Sequence, residues 1–326
     1  MTVMSVTGPV EAADLGLTLV HEHIVISMDG ERLDPEYGPD RREMVARGVD
    51  QLQKLKDLGV RTFVDPCPIE LGRDPELYAE ISQRSGVAIV FATGFYYEAM
   101  GLPVYWRARD PEEIADFYLR ELSDGVGTTG LRPGVIKAAT GVEVTVAERR
   151  CLTGAGIAQR AAGVAIITHT EHSTNGEVQQ DIFAEAGADL SRVLIGHQDE
   201  QTSPEPMRKL AERGTFVGVD RVGMTTLAPD ETRADNVATL VREGFARHLC
   251  LSQDCVCTLT APRMPFWTPK ERRVEEDPIR TWLKALKPIT YILTDFLPML
   301  RERGVSEADI EIMLKDNPRR LLAGEA

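Results

Sequence analysis

A chain of 326 residues, 43% hydrophobic and 27% charged, can bury a large core, and its length suits one (β/α)8 barrel of ~250 residues or more, or two smaller domains. A formal net charge of −14 opposes binding to nucleic acid or to an anionic membrane surface, and no stretch approaches the ~18 consecutive apolar residues of a membrane helix. The five cysteines have no disulfide-like spacing and the N-terminus has neither a basic start nor an apolar run, which points to a reduced, cytoplasmic setting.

Eight short apolar runs read as strands: residues 17–24, 59–66, 87–95, 134–140, 164–170, 193–196, 215–220 and 248–252. Several are rich in Val and Ile without clean alternation, as strands buried on both faces of a parallel sheet are. Helical patterns at 41–58, 111–122, 144–162, 178–186, 204–213 and 232–245 fill the gaps. Asp110 and Pro111 supply an N-cap and a first-turn proline for the second of these. A further helix is expected over 289–303, and Asn317-Pro318-Arg319-Arg320 opens a short last one. Strands alternating with helices predict an α/β fold, a (β/α)8 TIM barrel forming a single domain over 1–326. The rival, a doubly wound open sheet, carries a glycine-rich loop after its first strand; here that position holds His21-Glu22-His23. A long irregular stretch, 257–288, follows the eighth strand and contains Phe266, Trp267 and Trp282. A lid over the pocket is expected there, the alternative being a surface excursion against a neighbouring subunit.

The six histidines are His21, His23, His169, His172, His197 and His248. Four of them fall at or near the C-terminal ends of expected strands, the face on which barrels build active sites. His21 and His23, two apart on a strand, share a face ~7 Å apart along the chain, so both rings can reach one ion at ~2.0–2.1 Å. Glu22 then points into the barrel wall. The alternative is a pair of core histidines. Lys137 interrupts the apolar run Val135-Ile136-Lys137-Ala138-Ala139. Burial favours its neutral amine, which can take up carbon dioxide to give a carbamate able to bridge two cations; otherwise the side chain snorkels to the strand end. His169 and His197 each close an apolar strand and pair as ligands of a second ion. Asp254, after the eighth strand, can ligate a metal and accept a proton from water, or merely cap the next turn. His172 falls in a loop, near the site or in solvent. His248 opens the eighth strand and faces the opposite, stabilising end.

The segment Gly16-Leu17-Thr18-Leu19-Val20-His21-Glu22-His23-Ile24 resembles the first signature of the phosphotriesterase family of the amidohydrolase superfamily. Lys137, His169, Ile195-Gly196-His197 and Asp254 match its other ligand positions, and the resemblance runs from about Val6 to Asp316-Asn317-Pro318-Arg319-Arg320. It implies two divalent ions, zinc first and cobalt, manganese or iron as alternatives, bridged by N6-carboxylated Lys137 and a hydroxide. His21, His23 and Asp254 would hold the more buried ion, and His169 and His197 the more exposed one. Phe95-Tyr96-Tyr97 and Asp220-Arg221 resemble motifs of the phosphotriesterase-like lactonases, which implies Tyr97 near the metals and Arg221 at the substrate mouth. In that branch the loop after the eighth strand shapes the acyl-chain pocket, making Cys257 and Trp267 candidate substrate contacts. The implied activity is opening of lactones, N-acyl homoserine lactones included and hence quorum quenching, with promiscuous phosphotriester hydrolysis. Lys137 and Asp254 would be the catalytic residues. A phosphotriesterase or aryl esterase, and a metal-stabilised binding protein without hydrolytic role, remain as alternatives. The expected partners are a small lactone or ester and, by analogy, a second copy in a homodimer, with no nucleic acid and no membrane.

Overall fold

Apolar side chains on both faces of each strand decide the architecture. The computed structural model describes residues 1–27, 40–259 and 286–324. The chain begins with an antiparallel hairpin, β1 (Thr2–Ser5) and β2 (Gly8–Glu11). There follow β3 (Leu17–Leu19), β4 (His23–Ile26), α1 (Arg41–Asp57), β5 (Val60–Asp65), α2 (Pro75–Ser85), β6 (Ala88–Gly94), α3 (Val104–Arg107) and α4 (Pro111–Asp124). Next come β7 (Val135–Thr140), α5 (Val146–Ala162), β8 (Ala165–Thr170), α6 (Gly176–Glu185), β9 (Val193–Ile195), α7 (Glu205–Glu212), β10 (Phe216–Val219), α8 (Asp230–Arg242), β11 (Leu249–Leu251) and β12 (Val256–Leu259). The chain ends with α9 (Leu297–Glu302), entered through a π-helical turn at Ile292–Phe296, then α10 (Glu307–Glu311) and α11 (Asn317–Ala323).

Eight parallel strands, in the order β3-β5-β6-β7-β8-β9-β10-β11, form the wall, with helices between them: a (β/α)8 barrel. The first and last wall strands meet through the segments that follow them. His21 N–H donates to Ser252 Oγ at 3.0 Å, Asp254 N–H to the His21 carbonyl at 3.0 Å and His23 N–H to the Cys255 carbonyl at 2.8 Å. Beyond that point β4 and β12 pair in parallel.

This seam corrects two expectations. The first strand is not continuous over 17–24 but breaks at residues 20–22. The break turns the buried Glu22 carboxylate across the seam, where it accepts from the Ser252 hydroxyl at 2.8 Å and from the Gln253 and Cys255 N–H groups, each at 2.7 Å. One side chain thus satisfies peptide groups that no neighbouring strand reaches. The stretch from 257 onward does not begin as a loop: Cys257 lies inside β12. Its thiol is buried in the apolar layer that α1 covers. Trp267 and most of the expected lid fall outside the described residues.

Period-two geometry sorts the wall residues into two cores. Val64, Val90, Val135, Ile167, Leu194 and Phe216 fill the barrel interior, joined below by Val3, Ala12 and Leu15. Phe63, Ile89, Ile136, Ile166, Val193 and Val217 face the helices. Lys137 shares the parity of Val135, and His169 that of Ala165 and Ile167, so both side chains are delivered to the interior. The elements that run unforeseen in the sequence are the four-residue hairpin strands, α2, α3, β12 and α10, all of them but α2 five residues or fewer.

Candidate metal centre

The side chains at the C-terminal ends of the wall strands converge above the interior core. Lys137 is 1% exposed on β7, and its Nζ is 3.1 Å from His21 Nε2, its one hydrogen-bond partner among the described residues. Asp254, between β11 and β12, brings Oδ1 to 3.1 Å from His23 Nε2 and 4.0 Å from His21 Nε2, and Oδ2 to 3.7 Å from His197 Nε2. The His21 ring lies 4.7 Å from that of His197, which lies 4.6 Å from that of His169. The six residues His21, His23, Lys137, His169, His197 and Asp254 are therefore gathered in one cluster. Both His197 and Asp254 adopt left-handed backbone, φ 58° and 49°. Such conformations cost a few kcal/mol at most and gather where structure over-determines them.

Asp220 organises this cluster. It follows β10 with the interior parity of Phe216 and Gly218, and is wholly buried. Oδ2 is 2.9 Å from His21 Nδ1, and Oδ1 is 3.0 Å from His197 Nδ1 and 2.7 Å from its N–H. A carboxylate only accepts, so both rings carry their proton on Nδ1 and turn a bare Nε2 toward Asp254. Gly218 makes room: a Cβ there would meet Asp220 Oδ2 at 2.5 Å. His23 Nδ1 faces Asp65 Oδ1 at 3.4 Å.

Burial pulls the His21 and His197 imidazoles down, and that of His169 to about 3, which keeps them neutral, the form that ligates metals. Burial likewise lowers the Lys137 ammonium to about 8. Burial opposes ionisation of Asp254, but its hydrogen bond with His23, whose imidazole Asp254 and Asp65 raise well above its usual value despite burial, helps hold the carboxylate well below its usual range. The neutral nitrogens of His21, His169 and His197 and an ionised carboxylate gathered at one place form a donor set that fits divalent cations. Ligand atoms of His21, His23 and Asp254, and those of His21, His197 and Asp220, each lie within 4.8 Å of one another.

Around this centre, the Tyr97 ring stacks on His169 with centroids 5.3 Å apart and planes 16° apart. Its neighbour Tyr96 brings the hydroxyl, 3.0 Å from His169 Nδ1. Glu171 Oε2 is 2.9 Å from His169 Nε2. Arg221 Nε donates to Asp254 Oδ2 at 3.3 Å, and its Nη1 pairs with Glu200. His172 is mostly exposed, between Glu171 and Glu200, and His248 contacts the Thr215 carbonyl at the far end of the barrel. Asp65 and Glu171 were not singled out from sequence, and Asp220 and Tyr96 entered only within the motifs Asp220-Arg221 and Phe95-Tyr96-Tyr97, without roles of their own. The available signal for two of them was an Asp closing an apolar strand, in Val64-Asp65 and Val219-Asp220.

The model of the phosphotriesterase family matches residues 1–322. An aryldialkylphosphatase of Saccharolobus solfataricus is 30% identical over 96% of this chain and 97% of its own. A phosphotriesterase homology protein of Mycobacterium tuberculosis is 33% identical over 96% and 95%. A mutant of a phosphotriesterase-like lactonase from Deinococcus radiodurans superposes with a TM-score of 0.88 at 34% identity, covering 98% of this chain and 100% of that one. No helix among the described residues is long and apolar enough to cross a membrane.

Proposed function

This chain belongs to the phosphotriesterase family and is a metal-dependent hydrolase, and from that premise we propose that it opens lactone rings, N-acyl homoserine lactones among them, with phosphotriester hydrolysis as a slower activity of the same site. The observation that carries the reading is the convergence of bare imidazole nitrogens and the Asp254 carboxylate beside a buried lysine. His21, His23 and Asp254 would hold one ion and His169 and His197 the other, and a carboxylated Lys137 would contribute to both. At a pKa of about 8 part of the Lys137 amine is neutral. That amine could take up carbon dioxide with release of a proton, and the resulting carbamate would supply a carboxylate to the metals. Zinc suits the nitrogen-rich donor set, with cobalt, manganese and iron as further candidates.

When bound, such an ion pair supplies Lewis acidity and acidifies water near neutral pH. Asp254 accepts the proton of the attacking water and returns it to the leaving alkoxide, help worth ~100- to 10,000-fold. Asp220 keeps the His21 and His197 rings in one tautomer throughout. Tyr97 forms the wall beside His169, and Arg221, within reach of Asp254, lines the mouth. Likeness to the Deinococcus lactonase supports lactones as the main substrates; likeness to the Saccharolobus phosphatase favours the second reading, phosphotriesters first. We also read the protein as a homodimer of a reducing compartment, the latter supported by five free, buried cysteines.

Metal content per chain, measured with turnover on lactones of graded acyl length, paraoxon and aryl esters, tests this reading. Two ions per chain and the highest kcat/KM on lactones are expected. Preference for paraoxon would overturn the lactone assignment, and a single coordinatively saturated ion would overturn the two-ion centre.

A further inference from the structure

Glu148 touches none of the clustered imidazoles, yet its carboxylate ties together two loops at the mouth of the barrel. It lies in the first turn of α5 and is 2% exposed. Oε1 accepts from Glu98 N–H at 2.9 Å. Oε2 accepts from Gly141 N–H at 3.3 Å and Thr145 N–H at 3.2 Å. The Thr145 contact completes a capping box and serves the helix itself. The other two have no such local purpose. Glu98 directly follows Tyr97 in the loop after β6, and Gly141 directly follows β7, the strand of Lys137. Gly141 is also where the Tyr97 ring comes to rest: a Cβ there would sit 3.4 Å from Tyr97 Cδ2. The Tyr97 side chain is thus pinned between His169 on one face and a glycine whose position Glu148 sets, while its own backbone is tethered one residue away.

We propose that Glu148 is a positioning residue: by clamping the loop after β6 to the loop after β7 it holds Tyr97 flat on His169, and so fixes the pocket wall on that side. This rests on the hydrolase reading above. A carboxylate is required because both oxygens accept. In glutamine one of them becomes an NH2 group, which cannot accept from a peptide N–H. Glu148→Gln, although isosteric, therefore breaks either the Glu98 arm or the Gly141 arm.

In the metal-loaded enzyme, Glu148→Gln should raise KM about tenfold on the best substrate, the equivalent of one buried hydrogen bond, with kcat and metal content little changed. In a Tyr97→Ala background the same substitution should change nothing further, because the group it positions is gone. An unchanged KM, or an equal loss in both backgrounds, overturns the proposal. Should Glu148→Gln fail to fold, Glu98→Pro and Glu98→Ala decide. Both remove the Glu98–Arg107 ion pair, but only proline removes the N–H. The position tolerates proline, since it opens a turn after an extended Tyr97 with φ −77° and ψ 158°. Glu98→Pro should reproduce the KM rise and Glu98→Ala should not; identical behaviour of the two refutes the clamp. If the lactone assignment is wrong, every variant alike prefers another substrate, and the comparison is read on that one.

Discussion

Two single residues set what the cluster can do. Lys137 is buried with an imidazole nitrogen as its hydrogen-bond partner, an arrangement that is costly for an ammonium and suitable for a neutral amine. Lys137→Ala should lose bound metal and turnover together, and a short carboxylic acid added to the buffer should restore part of both by standing in for the bridging oxygens. Metal content equal to that of the parent would remove Lys137 from the centre. Asp220 bridges His21, 199 residues away, and His197, 23 residues away. In Asp220→Asn one carboxylate oxygen becomes a donor and opposes the Nδ1–H of one ring. That ring must rotate or change tautomer, which should weaken metal binding ~10- to 100-fold. Competition with a chromophoric chelator would measure the loss, and an unchanged affinity would show that Asp220 does not hold the rings.

At the scale of elements, the site depends on how closely the strands below it approach. Gly94 ends β6 with φ +127°, and a Cβ there would sit 2.1 Å from the Lys137 carbonyl oxygen on β7. No side-chain rotation relieves a clash with backbone. Gly94→Ala should therefore cost about 2 kcal/mol or more and lower metal occupancy, because the strand that must move carries Lys137. Thermal unfolding checks this; a Tm equal to the parent's would mean that the strands part freely. The same reasoning explains the break between β3 and β4. The kink lets the Glu22 carboxylate accept from the Gln253 and Cys255 N–H groups, which no strand serves, and from the Ser252 hydroxyl. Local sequence does not reveal this, because the partners of Glu22 lie about 230 residues away.

For the whole molecule, the candidate centre joins five distant parts of the chain, so a bound metal would contribute to holding the barrel closed. His21 and His23 lie on one side of the seam and Asp254 on the other. Ions that bind only the folded state add ~2.7 kcal/mol when present at 100 times their Kd. Chelation should lower Tm by several degrees, and added zinc or cobalt should restore it; a Tm indifferent to chelator would mean that the seam holds without metal. Much of this architecture was legible beforehand. Val- and Ile-rich runs between helical patterns determined a barrel, because parallel strands buried on both faces need apolar residues throughout, and histidines at strand ends determined where chemistry would gather, because those ends open on one face. A lysine inside such a run stood out for the same reason. What the tertiary structure alone decided is the set of partners that orient these groups. The partners that give Asp220, Asp65, Glu22 and Glu148 their roles are not written near them in the sequence, and Cys257 looked like the start of a loop. Their roles depend on which strand faces inward and which loops meet across the seam, contacts between residues tens to hundreds of positions apart that no local pattern encodes.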